Sequence, residues 1–308
     1  MNNKRFLFRF VPTMRCNFNC KYCFEGDSSK RPKETMFDIH PVKDWIEGMK
    51  LFSDKEIEIY MWGGEPFILN DTYKLLREWM SMDHIVSGCR IDTNTFFADK
   101  IVNLCPSNKI KLNCSYHMQY HTLEQQYEKI KKLKELDMVG MMNFVASESN
   151  ITSLHKDYNM TVFDLIKMFS DIGVFVNIAG DFSIANNINH PRHKEYMDFI
   201  LQFISPKEWN LLRGEKEKCK CSAGMHFFTI NYDGSITSCI DNRIYGNFFE
   251  GIIKPEKKPK TCKTSCQSLI SYPWKTNNDL SPWNSLLEYV NRNTEYRKAI
   301  TIANDFVF

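Results

Sequence analysis

The sequence lacks the features that would place it in a membrane, outside the cell or on nucleic acid. None of its 308 residues belongs to an apolar run approaching the length of about 18 that a membrane-spanning helix needs. The N-terminus has no apolar stretch leading to a small-residue cleavage site, so it does not indicate a secretory signal. With 40 Lys and Arg against 37 Asp and Glu, the formal net charge is only +3, which indicates no nucleic-acid surface. We expect a soluble, cytoplasmic protein with no membrane or nucleic-acid partner.

Internal repeats and low-complexity segments are also absent, and the unusual feature of the composition is its 11 cysteines. Thiols of a cytoplasmic protein stay reduced, so clustered cysteines are metal ligands or catalytic groups rather than disulfides. Two distant groups stand out, namely Cys16, Cys20 and Cys23 and then Cys219, Cys221, Cys239, Cys262 and Cys266. Cys89, Cys105 and Cys114 fall in predicted core elements, where a thiol packs as a small hydrophobic group.

Short β-branched and aromatic runs alternate with amphipathic segments in the first two thirds of the chain. The predicted strands are Arg5–Val11, Glu56–Trp62, Gly88–Thr93, Lys109–His117, Gly140–Val145 and Val174–Gly180. The predicted helices are His40–Phe52, Asp71–Met82, Phe96–Cys105, Leu123–Leu136 and Thr161–Ile172. Parallel neighbours need a crossover long enough for a helix, so this order predicts a parallel sheet in an α/β fold. Both a partial (β/α) barrel and a doubly wound sheet fit the pattern.

The pattern changes after residue 206. Phe227–Asn231 and Ile236–Ile240 flank a turn in which Gly234 supplies a positive φ, and they predict a β-hairpin. The segment Lys254–Lys260 is rich in Lys and Pro, and we expect it to be an exposed connector. A last helix is predicted over Trp283–Ile302.

A domain boundary is predicted between Ser205 and Lys218, where the alternation of strands and helices stops. It divides the chain into a first domain of residues 1–205 and a second of residues 206–308.

The first cysteine group forms a short loop directly after the first predicted strand. Cys16, Cys20 and Cys23 have the spacing C-x3-C-x2-C, so their thiolates converge on one metal site. Structural zinc prefers four protein ligands, and the next His along the chain is only at position 40. An iron–sulfur cubane held by three cysteines leaves one iron free to bind something else. A cluster therefore fits this loop better than zinc.

A second motif, Gly63-Gly64-Glu65-Pro66, ends the second predicted strand. Together with the cysteine loop, in which Tyr22 precedes the third cysteine, it resembles the signature of the radical S-adenosylmethionine (SAM) superfamily. The resemblance implies a partial (β/α)6 TIM-like barrel with a 4Fe–4S cluster whose open iron is chelated by SAM. It also implies that one electron cleaves SAM to a 5′-deoxyadenosyl radical, which abstracts a hydrogen atom from a substrate carbon.

Further SAM contacts are expected at the C-terminal ends of the strands, where barrels carry their chemistry. Backbone carbonyls of the second motif and Glu65 can accept hydrogen bonds from the SAM amino group, and the glycines permit close backbone approach. The resemblance implies that Tyr22 and Pro66 of the two motifs belong to the SAM site. It also implies that Asn94 and Ser115 bind SAM, the alternatives being helix capping by Asn94 and a local turn at Ser115. His117 is a candidate catalytic residue, with a satisfied structural histidine as the alternative.

The second cysteine group surrounds the predicted hairpin. A hairpin brings its ends together, so Cys221, Cys239, Cys262 and Cys266 can hold either zinc or a cubane. The spacing C-x12-G-x4-C after such a core resembles a SPASM or Twitch domain, and implies a small C-terminal α+β domain with one auxiliary 4Fe–4S cluster. No cysteine follows Cys266, so the shorter Twitch form matches better. Cys219 is left over as an alternative ligand, a hydrogen-atom donor and candidate catalytic residue, or a structural residue.

The resemblance implies an oxidoreductase-type enzyme that receives electrons from a donor such as flavodoxin or ferredoxin. We expect it to mature a ribosomally made peptide by oxidation, crosslinking or epimerisation. Many peptide-modifying relatives have a leader-recognition domain before the cysteine loop, whereas the first strand here begins at about Arg5, which weakens this expectation. The alternatives are a radical dehydrogenase or decarboxylase acting on a small polar metabolite or sugar, and a non-enzymatic zinc-binding protein.

Overall fold

Strands and helices alternate along most of the chain, as the sequence pattern predicts. The computed structural model describes residues 5–23, 25–212, 220–239, 243–261, 282–299 and 305–308. Its strands are β1 (Arg5–Phe10), β2 (Glu56–Met61), β3 (Ile85–Thr93), β4 (Ile110–Tyr116), β5 (Val139–Ala146), β6 (Val176–Gly180), β7 (Lys220–Cys221), β8 (Phe227–Ile230), β9 (Ser235–Thr237), β10 (Gly246–Asn247), β11 (Ile252–Ile253) and β12 (Lys260–Thr261).

The α-helices fill the crossovers between the strands and continue beyond β6. They are α1 (Met36–Ile39), α2 (Val42–Lys50), α3 (Asn70–Met80), α4 (Ala98–Leu104), α5 (Leu123–Glu135), α6 (Glu148–Tyr158), α7 (Val162–Ser170), α8 (Phe182–Ala185), α9 (His193–Ile200), α10 (Pro206–Leu212) and α11 (Pro282–Ala299). In the ranges given above, no helix is both long and apolar enough to cross a membrane.

The first six strands form the wall of a partial barrel. β1 to β6 are hydrogen-bonded in chain order, and every pair among them is parallel. A doubly wound sheet reverses its strand order at a switch point, whereas these strands progress in one direction only. β6 stands at one end of the sheet, so the wall is open. The predicted partial (β/α)6 barrel is confirmed.

The core lies between the outer face of this wall and the helices. On β1 the side chains alternate, and Phe8 and Phe10 point outwards. The ring of Phe8 meets Phe52 edge-on at 5.1 Å, and Phe10 meets Trp45 of α2 at 6.0 Å. Phe6 lies on the same outer face, whereas Arg5, Leu7 and Arg9 face the concave side of the barrel, which is where a substrate is held in this architecture.

The predicted hairpin exists, and it joins the barrel sheet. β8 and β9 pair antiparallel around Gly234, whose φ is +80°, as predicted. β8 also pairs in parallel with β1, with Leu7 opposite Phe227, and β10 and β11 extend the same sheet. The sequence did not predict this pairing, because a short apolar strand does not specify its partner. The division at residue 205 stays a prediction.

The connector Lys254–Lys260 is held more firmly than its composition suggests. The backbone N–H of Glu256 donates to the carbonyl oxygen of Gly224 at 2.8 Å. The side chain of Glu256 forms ion pairs with Arg243 and, at 2.9 Å, with Lys260. Lys260 then pairs with Cys221 between β12 and β7. Lys254, Lys257 and Lys258 are exposed, as predicted, and ion pairs between opposite charges also tie the connector to the hairpin.

Helix α6 is absent from the sequence-based prediction. Its N-terminus is capped by Ser147, whose hydroxyl accepts a hydrogen bond from the N–H of Asn150 at 3.3 Å. Ile151 and Leu154 are its buried apolar residues. Two apolar positions give too weak a period to predict a helix over eleven residues.

Candidate active site

The cysteine loop leaves the C-terminal end of β1 and turns tightly. The N–H of Cys23 donates to the carbonyl oxygen of Cys20 at 3.1 Å, and the N–H of Phe18 points at the Cys16 sulfur at 3.4 Å. Cys20 is buried, whereas Cys16 and Cys23 are partly exposed. The three predicted ligands thus share one turn, at the end of the barrel where parallel strands carry their chemistry.

The three thiols influence one another. Burial raises the pKa of Cys20 to about 12, and the charges of Cys23 and Cys16 contribute to the increase. Burial also raises the pKa of Cys16. Thiolates gathered here need a positive partner, and iron supplies that charge. Without a metal, the Cys16 and Cys20 thiols therefore stay protonated at pH 7, and a metal bound there must displace their protons.

Within the described ranges, no three His, Cys, Asp or Glu side chains converge as the ligands of a single metal ion do. The cysteines of a cubane bind separate irons and stand further apart.

An arginine lies against the loop. Arg31 donates through one terminal nitrogen to the Cys23 sulfur at 3.0 Å and to the carbonyl oxygen of Gly26 at 2.5 Å. A guanidinium donor of this kind stabilises negative charge on a ligand sulfur. The role of Arg31 was not predicted from the sequence, because nothing in its local sequence shows that the chain folds back onto the loop.

An aromatic cluster fixes the loop from the side of β4. The ring of Phe18 stacks on Tyr120 at 3.9 Å with an interplanar angle of 4°, and it meets Phe96 edge-on at 5.9 Å. The N–H of Asn19 also donates to the Tyr120 hydroxyl at 2.8 Å. Phe18, which lies between Cys16 and Cys20, is only 5% exposed and therefore anchors the loop to the barrel. This role was not predicted from the sequence.

His117 lies beside the loop with its Nδ1 atom facing two of the predicted site residues. The Tyr22 hydroxyl oxygen is 2.9 Å away and the Cys20 sulfur 3.2 Å. Burial, with a contribution from nearby His121, lowers the pKa of His117 to about 4, so the ring is neutral at pH 7. In the tautomer with hydrogen on Nε2, Nδ1 accepts the Tyr22 hydroxyl hydrogen. These contacts fit the structural alternative, and a catalytic role for His117 stays a prediction.

The two glycines of the second motif are required by the cysteine loop itself. The N–H of Gly64 donates to the carbonyl oxygen of Thr13 at 2.9 Å, and that of Glu65 to the carbonyl oxygen of Arg15 at 2.8 Å. A Cβ on Gly64 would lie 1.9 Å from the Arg15 oxygen, and Gly63 has a φ of +132°. The close approach predicted for these glycines is therefore made to residues 13–15 of the same chain.

Glu65 connects the motif to the end of β3. Its fully buried carboxylate accepts hydrogen bonds from the Thr93 hydroxyl at 3.0 Å, the N–H of Asn94 at 2.7 Å and the N–H of Phe67 at 3.1 Å. Burial nevertheless raises the pKa of Glu65 to about 7. Pro66 begins a turn of 3-10 helix directly after it. A contact between Glu65 and the SAM amino group stays a prediction.

Asn94 reaches the cysteine loop, whereas Ser115 does not contact it directly. The Asn94 amide donates to Asn17 Oδ1 at 2.8 Å and approaches the Cys16 sulfur at 3.8 Å. Its Oδ1 accepts from the N–H of Phe96 at 3.0 Å, which makes a local turn before α4 rather than a cap on it. Ser115 is partly exposed on β4, opposite Asn143 of β5.

Polar side chains line the concave face below this loop. The Tyr60 hydroxyl donates to Asp92 Oδ2 at 2.7 Å, and the Asn113 amide donates to Asp92 Oδ1 at 2.6 Å. On the far side of the barrel, the Asn177 amide donates to Asn143 Oδ1 at 3.0 Å. A barrel interior of this polarity suits a substrate with hydrogen-bonding groups.

The described members of the second cysteine group lie near one residue of the hairpin. Cys221 is buried in a cluster with Leu7 and Phe227. Cys239 is exposed and lies two residues after the end of β9. Continuing the β8–β9 register beyond β9 puts Cys239 opposite Phe227. The remaining predicted ligands or candidates, Cys219, Cys262 and Cys266, lie outside the described residues. Cys89, Cys105 and Cys114 are buried in the core, as predicted.

The barrel, the cysteine loop and the glycine motif are the parts that a family comparison recognises. The model of the radical SAM superfamily matches residues 10–182, from the end of β1 to the residues after β6. This match covers more than half of the chain. The protein belongs to the radical SAM superfamily.

Individual relatives are distant. An uncharacterized protein of Methanocaldococcus jannaschii is 23% identical over 208 residues, which are 67% of this chain and 62% of the relative. SuiB of Streptococcus suis, solved with S-adenosylmethionine, shares 17% identity and a TM-score of 0.51 over 80% of this chain and 64% of its own. The structure of anSMEcpe with bound SAM shares 14% identity and a TM-score of 0.53 over 96% of both chains.

These comparisons show the fold. The chain spans less than two thirds of the length of the Methanocaldococcus jannaschii protein and of SuiB.

Proposed function

We propose that this protein is a radical SAM enzyme that matures a ribosomally made peptide by oxidation, crosslinking or epimerisation. One observation carries the radical chemistry, namely that the backbone of the glycine motif is hydrogen-bonded to the chain entering the cysteine loop. Gly64 and Glu65 donate to Thr13 and Arg15, so the two motifs form one rigid site at the mouth of the barrel. Residues brought together in this way can bind a cluster and its ligand side by side.

The chain's own groups hold the cluster in this proposal. Cys16, Cys20 and Cys23 are its ligands, while the N–H of Phe18 and the guanidinium of Arg31 donate to two of the sulfurs. When bound, the cluster and SAM supply a one-electron reduction and a 5′-deoxyadenosyl radical that removes a hydrogen atom from a substrate carbon. The protein orients that carbon and keeps water away from it.

SAM would lie beside the loop, over the ends of β2, β3 and β4. Backbone carbonyls at Gly63 and Gly64 are the proposed acceptors for its amino group. Asn94, whose amide approaches the Cys16 sulfur at 3.8 Å, would contact SAM bound beside the loop. Ser115 lies one strand further on and faces the same interior. Tyr22, whose hydroxyl lies 2.9 Å from His117 Nδ1, is a further proposed SAM contact on the cysteine loop.

An auxiliary cluster is proposed at the second cysteine group. Cys221 and Cys239 lie near the same end of the hairpin, and Cys262 and Cys266 complete the proposed ligand set. Cys221 packs against Leu7, a concave-face residue of β1, so a cluster there would lie beside the substrate space. A cluster held there would supply an acceptor for the electron that a substrate radical loses when it becomes the oxidised product. Zinc is the alternative metal for the same four thiolates.

A peptide substrate is supported by the fold shared with an enzyme whose structure holds a bound peptide. The structure of anSMEcpe with bound SAM and the Kp18Cys peptide matches this chain with a TM-score of 0.50 and 16% identity. A second candidate is a radical dehydrogenase or decarboxylase acting on a small polar molecule, and the polar interior around Asp92 favours it. An electron donor such as flavodoxin or ferredoxin is proposed for both.

Iron analysis and SAM cleavage test the proposal. The anaerobically reconstituted protein is expected to hold about eight irons, or two cubanes, with broad visible absorbance. The triple variant Cys16→Ala, Cys20→Ala and Cys23→Ala should retain about four irons and form no 5′-deoxyadenosine. Bound zinc without iron in the wild type would overturn the proposal, as would SAM cleavage by the triple variant.

Two single variants complete this experiment. Cys105→Ala, which alters a buried thiol of the core, is the matched control and should keep its iron. Cys239→Ala should spare SAM cleavage while it stops product formation and removes about four irons. Coexpression with short peptides encoded nearby, followed by mass analysis, separates the two substrate classes.

A further inference from the structure

Arg90 is a buried cation on the concave face of the barrel. Its neighbours in β3, Cys89 and Ile91, are 2% and 0% exposed in the core beneath the helices. Because side chains alternate along a strand, Arg90 points to the interior of the barrel. Only 5% of its surface is exposed.

Arg90 makes no hydrogen bond or ion pair within the part of the chain that the structure describes. Its guanidinium lies over the ring of Tyr60, 3.9 Å from the ring centroid. Asp92, two residues further along the same face, has both carboxylate oxygens occupied by Tyr60 and Asn113. The contact with the Tyr60 ring offsets only part of the cost of burying a charge that has no charged or hydrogen-bonding partner, so folding alone gives little reason for an arginine here.

Other cations of the same face have a charged or hydrogen-bonding partner, which for Arg9 is the Thr229 hydroxyl at 3.1 Å. Arg5 of β1 forms an ion pair with Glu58 of β2. Lys111 of β4, which lies opposite Arg90 in the sheet, forms an ion pair with Asp137 at 2.7 Å. The unpaired state of Arg90 is therefore a local property and not a general feature of the barrel interior.

A second buried polar atom close to Arg90 also lacks a partner. Asn113 is 1% exposed, and its Oδ1 accepts no hydrogen bond from the described residues. The register of β3 and β4 pairs Arg90 with Lys111 and Asp92 with Asn113, so Arg90 and Asn113 share one face on adjacent strands. The guanidinium donors of Arg90 and the Oδ1 acceptor of Asn113 are thus both available to a ligand on the same face of the barrel.

We propose that Arg90 binds a carboxylate of the substrate, while Asn113 Oδ1 accepts a hydrogen bond from an N–H or O–H group of the same molecule. The inference rests on the proposed function, because it assigns a substrate group to the interior of a radical SAM barrel. A strand rises about 3.3 Å per residue, so Arg90 lies about 13 Å below Asn94 along β3. This distance leaves room for the reacting carbon between the carboxylate and SAM.

Accessibility and charge favour a carboxylate at this position. Asp92, Ser115 and Asn143 are partly exposed on the concave face, so a ligand can enter the space above Arg90. Both carboxylate and phosphate match the planar fork of an arginine. A phosphate carries nearly two negative charges and would be repelled more strongly by Asp92 than a singly charged carboxylate. Peptide termini, acidic side chains and small organic acids all supply the favoured group.

Propionate is the probe for this site. Propionamide, which has the same size but no charge, is the control. Thermal unfolding of the anaerobic holoprotein is measured with each compound and with inorganic phosphate. We expect propionate to raise the unfolding midpoint of the wild type by about 3 °C at roughly ten times its dissociation constant. Propionamide and phosphate should change the midpoint by less than about a third of that amount.

Three variants test whether Arg90 is responsible. Arg90→Met should lose the response to propionate and unfold at a midpoint about 2–4 °C higher, because an unpaired buried charge has been replaced by an apolar chain. Arg90→Lys keeps the charge without the fork and should bind propionate about tenfold more weakly. Arg5→Met is the same change at an arginine that has an ion-pair partner. It should lower the unfolding midpoint, because Glu58 loses that partner, but it should keep the response to propionate.

The inference is overturned if Arg90→Met keeps the propionate response or destabilises the protein as Arg5→Met does. If Arg90→Met fails to bind iron, Arg90→Lys decides, and an unchanged affinity for propionate overturns the inference. A wild type that responds to phosphate as strongly as to propionate overturns the choice of carboxylate. SAM cleavage is measured on the same samples, so a protein that binds propionate through Arg90 without cleaving SAM contradicts only the proposed function.

Discussion

The carboxylate of Glu65 accepts a hydrogen bond from the backbone N–H of Asn94 at 2.7 Å, although Glu65 is fully buried. This contact joins the glycine motif to the end of β3, and the side chain of Asn94 then reaches Cys16. Glu65 therefore links the glycine motif to the residues that contact the cysteine loop. Its burial and its donors have opposite effects on its charge, and the effect of burial is larger.

Glu65 should make stability depend on pH. Its pKa is about 7 in the folded protein against a reference of 4.5, so between these values the folded state holds a proton that the unfolded chain has lost. The free energy of unfolding should fall as pH rises through this window, by roughly 3 kcal/mol. Glu65→Gln removes this contribution, so the difference between the two denaturation curves measures it. Parallel pH profiles of wild type and variant would contradict the prediction.

Gly64→Ala should disrupt the first cluster site. The added Cβ would lie 1.9 Å from the carbonyl oxygen of Arg15, so the chain entering the cysteine loop must move. We expect iron content to fall from about eight to about four per chain, with loss of SAM cleavage. Gly26→Ala is the control, because its Cβ meets nothing within 4 Å and costs only about 1–2 kcal/mol of backbone strain. Equal iron in both variants would show that the close approach is not required.

Tyr120 should control how tightly the loop holds its metal. Tyr120→Phe removes the hydrogen bond from Asn19, worth about 1 kcal/mol, but keeps the stack on Phe18. Tyr120→Ala also removes the stack, worth a further 0.5–1.5 kcal/mol or so. The rate at which a chelator removes iron should therefore rise in the order wild type, Phe, Ala. A rate unchanged in the Ala variant would rule out the aromatic anchor.

Arg31 should raise the reduction potential of the cluster. Its guanidinium donates to the Cys23 sulfur, which stabilises the more negative reduced state. Arg31→Gln should lower the midpoint potential by roughly 60 mV, equal to a tenfold change in a one-electron equilibrium. Lys30→Gln removes one positive charge from the adjacent exposed residue and serves as the control. Redox titration followed by electron paramagnetic resonance measures both, and equal potentials would argue against a role for the contact.

The sequence was sufficient for the parts of the site that depend on local spacing. Cys16, Cys20 and Cys23 are close in the chain, and any turn brings them together. Gly63 and Gly64 follow a strand, and their need for close backbone approach follows from the absence of a side chain. The six-strand order of the barrel was also predictable, since each helix returns the chain to a neighbouring parallel strand.

Contacts between distant segments were not predictable. Phe18 and Tyr120 are 102 positions apart, and no periodic pattern relates a loop aromatic to its stacking partner. Arg90 looked like an ordinary charged residue, and its isolation depends on Tyr60 and Asn113 occupying Asp92. Such properties come from which side chains share a face after the sheet has formed.

The pairing of β1 with β8 has a consequence for the order in which the protein matures. Leu7 and Phe227 lie opposite each other, so both edges of the first strand are covered only when a segment 220 residues later has been synthesised. Until then, β1 presents an open edge next to the cysteine loop. Contacts this distant in sequence form slowly, and the ribosome adds only about 5–20 residues each second. We therefore expect stable insertion of the first cluster only after the hairpin has left the ribosome.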